Sequence, residues 1–69
     1  MTVYQYIVTV YDKETGLRLD AFPILRKRHV NISYIRKDVR QIVKASGKLL
    51  KNVKITIEYM GSAEINDTL

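Results

Sequence analysis

Cysteine and tryptophan are absent from this 69-residue chain, and proline, histidine and phenylalanine each occur once. Without cysteine there is no disulfide framework, no thiol nucleophile and no thiolate-ligated zinc. Long apolar runs are missing too, and no stretch approaches the ~20 residues that a membrane helix needs. The N-terminus, Met1-Thr2-Val3-Tyr4-Gln5, has neither a basic region nor an apolar leader segment. These absences lead to the expectation of a soluble, cytoplasmic protein. Glycine occurs only at Gly16, Gly47 and Gly61, isolated positions that make no phosphate-cradling loop.

Catalytic machinery is equally sparse. The single histidine, His29, lies in Arg26-Lys27-Arg28-His29, with no nucleophile or orienting acid beside it. A general base requires such a neighbour, so His29 reads as an ordinary loop or surface residue. Asp12 and Glu14 are close in sequence, but a turn explains Asp12, and a hard cation wants more oxygen ligands than these two. The expectation is a non-enzyme without cofactor or metal.

What remains is a small domain with ordinary apolar content and a lopsided charge. The apolar share is 46% and the charged share 28%, a globular balance rather than a disordered one. A chain of this size buries only ~60% of its unfolded surface, and its core supplies about 3–5 kcal/mol, so self-association is a natural supplement. The net charge of +5 is unevenly spread. Residues 1–25 sum to −1, residues 26–54 to +9 and residues 55–69 to −3, so the middle block holds ten of the twelve cations. Such asymmetry points to a polyanionic partner, the plain alternative being a solvated surface.

Residues 2–11 are β-branched and aromatic throughout and form a strand. Asp12-Lys13-Glu14-Thr15-Gly16 is a hairpin turn: Asp bonds the backbone ahead of it and Gly accepts positive φ. Residues 17–22 return as a second strand, which Pro23 either ends or confines to a sheet edge. A four-residue loop pairs Asp12 with Leu17, Val10 with Leu19, Val8 with Ala21 and Tyr6 with Pro23. That register collects Tyr4, Tyr6, Val8, Val10, Leu19 and Ala21 on one face and leaves Ile7, Phe22 and Ile24 on the other.

Ile32, Ile35, Val39, Ile42 and Val43 recur at helical spacing over an arc of about 100°. The helix runs from the N-cap Asn31 to about Ser46, with Val30 and Ile35 as a hydrophobic staple and Gly47 just past its end. Residues 49–60 form a third strand with Val53, Ile55, Ile57 and Tyr59 on the core face. Residues 1–60 make one domain, and residues 61–69 read as a flexible C-terminal tail. The chain order is β-β-α-β. Its simplest closure is a two-layer α+β fold with an antiparallel three-stranded sheet, order 2-1-3, one helix on one face, and a right-handed crossover.

Two surfaces follow. Arg36, Arg40 and Lys44 recur every four residues beside Lys37, a repulsive pattern in an isolated helix, and Arg26, Lys27 and Arg28 precede the helix N-terminus. Together these seven form the expected contact with nucleic-acid backbone, DNA or RNA. Ile7, Phe22 and Ile24 form an exposed apolar cluster suited to a homodimer. The alternative is a small adaptor or inhibitor, such as an accessory protein of a mobile element, docking on an acidic protein surface. Tyr4, Tyr6 and Tyr59 are expected to pack rather than stack on bases, while Tyr11 and Tyr34 are freer.

Overall fold

The computed structural model describes residues 1–65. Strand β1 (Thr2–Asp12) is central, flanked by β2 (Arg18–Arg26) and β3 (Val53–Glu64), with α1 (Ile32–Ala45) and a short 3-10 turn, η1 (Leu50–Asn52), between β2 and β3. The sheet order is 2-1-3 with both pairings antiparallel, so the expected α+β arrangement of three strands and one helix stands. No helix among these residues is long and apolar enough to cross a membrane.

The local signals work as chemistry dictates. Asp12 accepts the backbone N–H groups of Glu14 and Thr15 at 2.9 and 3.0 Å, and Gly16 closes the turn at φ 74°. The two N–H donors, Thr15 first, favour the ionised carboxylate and hold Asp12 below its ordinary pKa of 3.8. The Asn31 side chain caps α1 by accepting from Ser33 N–H at 2.9 Å. At the other end Gly47 N–H donates to Lys44 O at 3.1 Å, just beyond the Ser46 cap.

The core joins Tyr6, Val8 and Val10 of β1 to Ile35, Val39 and Val43 of α1, with Ile24 from β2. Val53, Ile55 and Ile57 of β3 pack against it from the far edge. Tyr6, only 1% exposed, satisfies its hydroxyl on the segment before the helix: it donates to Val30 O at 3.0 Å and accepts from Val30 N–H at 3.1 Å. That pair of bonds ties the middle of the sheet to the start of α1.

The expected β1–β2 register fails beyond the turn. Tyr11 faces Arg18, as a four-residue loop requires, but the register then shifts and Val10 faces Asp20 rather than Leu19. Leu19 is therefore the extra residue of a β-bulge, which reverses the faces of everything after it. Leu19 is 45% exposed and Ala21 is exposed, whereas Ile24 is 7% exposed and Phe22 packs against the core. Burying Phe22 and Ile24 removes more apolar surface from water than burying Leu19 and Ala21, which accounts for the shift. Pro23 does not end the strand; β2 runs through it to Arg26 at the sheet edge, where proline is tolerated.

Two further differences concern β3. It begins at Val53 rather than residue 49, because η1 occupies Leu50–Asn52, and it extends to Glu64 rather than stopping at Met60. A second register shift lies between Gln5 and Tyr6, whose β3 partners are Gly61 and Tyr59, so Met60 is the surplus residue. Gly61 has φ 101°, a value only glycine adopts readily, and lets the strand resume pairing. Residues 61–64 are thus strand, not tail; the remainder of that expected tail, beyond Ile65, lies outside the described residues.

Candidate nucleic-acid interface

The helix divides its charges between two flanks. On the β3 side, Arg36 donates from Nη1 to Ile55 O at 3.0 Å, fixing its guanidinium against the edge strand. Arginine carries five N–H donors in a fork, so this bond leaves most of them free for a ligand. Arg40 stands one turn further along. The two arginines, with Lys51 from η1, surround a cleft of about 440 Å³ whose other lining residues are Leu50, Val53 and Ile55. The floor is apolar and the rim cationic.

Local sequence explains each placement. Four residues of helix advance about 6 Å along the axis and return a side chain to nearly the same bearing, so Arg36, Arg40 and Lys44 line one side of α1 beside the buried Ile35-Val39-Val43 stripe. Lys51 reaches the cleft because η1 turns the chain before β3 starts, with Asn52 N–H bonded to Leu49 O at 3.0 Å. Asn52 O in turn accepts Lys13 N–H at 2.9 Å, so the hairpin turn braces this corner.

On the opposite flank, Arg26 donates from Nη2 to Asp38 Oδ2 at 3.0 Å. The bulge at Leu19 is the cause. It turns Arg26, partner of Tyr4, onto the helix side of β2, where Asp38 awaits it. Among the described residues the only ion pairs are this one and that between the Met1 amino group and Glu64 at 3.6 Å. Neither involves a cleft cation.

Of the seven expected contact residues, two line this cleft. Arg36 and Arg40 meet in the cleft. Lys37 and Lys44 are exposed on α1, and Lys27 and Arg28 are exposed in the segment leading into it. Arg26 is drawn away to Asp38. Lys54, counted in the basic block, lies on the other face of the sheet beside Tyr11 and Thr56. Lys51 was not among the expected contacts. The signal for it lies in Leu49-Leu50-Lys51-Asn52, which lacks strand alternation and ends on a turn-forming Asn just before the first core residue of β3.

The expected self-association cluster is taken apart by the same bulge. Ile7 is half-buried on the open face of the sheet, but Phe22 and Ile24 point to the helix side. His29 is exposed in the segment before α1, the surface position expected of it. Its ring lies edge-on to Tyr59 at 4.9 Å and to Tyr4 at 5.6 Å.

No protein-family model matches this chain, and no curated protein and no solved structure matches it either.

Proposed function

We propose that this chain is a small non-enzymatic binding module that grips nucleic-acid backbone, DNA or RNA, in the groove between α1 and β3. One observation carries the reading: Arg36, Arg40 and Lys51 converge on a single concave cleft, and among the described residues no carboxylate is paired to them. Like charges held together repel, and a polyanion relieves that repulsion while releasing its condensed counterions. Arg36 is pre-oriented by its bond to Ile55 O, so little rotamer freedom is lost on binding. Lys44, Lys37, Lys27 and Arg28 extend the positive field without sharing the cleft. Self-association through Ile7, Phe22 and Ile24 is not part of this reading, since two of the three belong to the core side.

Anisotropy of labelled random-sequence DNA and RNA at two salt concentrations tests it. Three to four phosphate contacts give a log–log salt slope of about 2–4. Failure to bind at low salt, or affinity indifferent to salt, contradicts the proposal.

A second reading is favoured by the apolar floor of Leu50, Val53 and Ile55, which suits an apolar side chain on an acidic protein segment. The chain would then be an adaptor or inhibitor. A protein partner captured from lysate and retained after nuclease treatment supports this reading; one lost with nuclease supports the first.

A further inference from the structure

The line between α1 and β3 continues past the cleft. α1 runs antiparallel to β3: Arg40 shares the cleft with Leu50 and Val53, Arg36 bonds Ile55 O, and the start of the helix segment meets Tyr6 and Tyr59. From Val53 to Tyr59 is six strand residues, about 20 Å. Along that line the side chains change from cationic to aromatic. Tyr59 is 39% exposed, its ring 5.3 Å from that of buried Tyr6 and 4.9 Å from exposed His29. Tyr4 closes the cluster on the other side of His29. Lys27 and Arg28, both exposed, immediately precede His29. From the cleft towards the aromatic cluster the order is thus basic, then aromatic.

We infer that the groove takes a single strand, with an unpaired base stacked on the exposed ring of Tyr59 beside the perpendicular His29 ring, and the adjoining phosphates held by Arg36 and Arg40. This deepens the backbone-binding reading and rests on it. A duplex keeps its bases stacked inside and offers an aromatic ring in the phosphate line no π-face. A single strand offers one at every nucleotide. Tyr6 packs against Tyr59 and Tyr4 against His29, so the rings are set before the base arrives. The sequence alone gives Tyr59 a packing role; its exposure at the rim of the sheet gives it a second one.

Charge and stacking are separable by a strand that lacks bases. The full chain is titrated, at low salt, with a short oligothymidylate and with an abasic deoxyribose-phosphate strand of equal length. Stacking of one base contributes about 1–3 kcal/mol, so the oligothymidylate is expected to bind about 5- to 150-fold more tightly than the abasic strand. Tyr59→Leu removes that preference while leaving abasic binding and the salt slope in place, and Tyr59→Phe retains it. Equal affinity for the two strands, or a Tyr59→Leu variant that folds and keeps the preference, overturns the inference while leaving backbone binding intact. Failure of both strands to bind overturns both readings.

Discussion

The two flanks of α1 are built on the same helix, from residues two apart in sequence, and come out electrostatically opposite. Towards β2, the exposed cation Arg26 meets the helix's single carboxylate, Asp38, and the charge cancels. Towards β3, two arginines and Lys51 meet apolar residues and a backbone carbonyl and, among the described residues, no carboxylate. A count of lysines and arginines treats these surfaces alike. The difference is made by a single surplus residue in β2, because Leu19 decides which side of the sheet Arg26 occupies. Ligand affinity is therefore assigned to the β3 flank and a neutral, structural role to the β2 flank.

The strongest way to break this comparison is to remove what both flanks rest on. Ile35 is 1% exposed between them, and Ile35→Ala costs about 2–5 kcal/mol. That matches the whole stability of a domain this small, so denaturant melts should show a largely unfolded variant at ambient temperature. Next is reversal of the β3 flank alone. Arg36→Glu with Arg40→Glu is expected to lower low-salt affinity for nucleic acid by about a hundredfold or more and the salt slope by about 1.5–2. Arg26→Glu should change affinity several times less.

A smaller effect sharpens the contrast from the other side. The Arg26–Asp38 pair is half-exposed at both ends, so Asp38→Ala should cost no more than about 1 kcal/mol in a thermal melt. It should also raise affinity slightly by freeing Arg26. The smallest effect concerns the brace behind Lys51. The Asp12 carboxylate has a folded pKa below its ordinary value, so its contribution is fully present above that ordinary value and is lost as pH falls through the folded one. Amide protection in the turn and in η1, referred to the intrinsic exchange rate at each pH, should therefore fall at acid pH before that of the core, and less so in Asp12→Asn.

Most of the fold was legible. β1 announces itself by ten residues without Gly, Pro or charge, α1 by Asn31, Gly47 and the Ile35-Val39-Val43 stripe, and the order 2-1-3 by the need to bury β1 on both edges. The two bulges were not, because each is a one-residue decision settled by a balance over the whole sheet. For β2 the balance was nonetheless present in the sequence: Phe22 and Ile24 outweigh Leu19 and Ala21 as core residues. For β3 the clue was Gly61, which reads as punctuation and acts as the residue that lets pairing resume. The candidate site was half legible for the same reason. Arg36 and Arg40 follow from helical spacing, whereas the loss of Arg26 and the gain of Lys51 depend on a strand register and a 3-10 turn.

The most direct measurement is an amide-resolved NMR titration of the whole chain with a short oligothymidylate at low salt. The account predicts that shift changes concentrate on Arg36, Arg40, Lys51, Ile55 and Tyr59, with Arg26 and Asp38 nearly still. Changes centred on Arg26 and Asp38, or on the open face at Ile7 and Thr9, would contradict it.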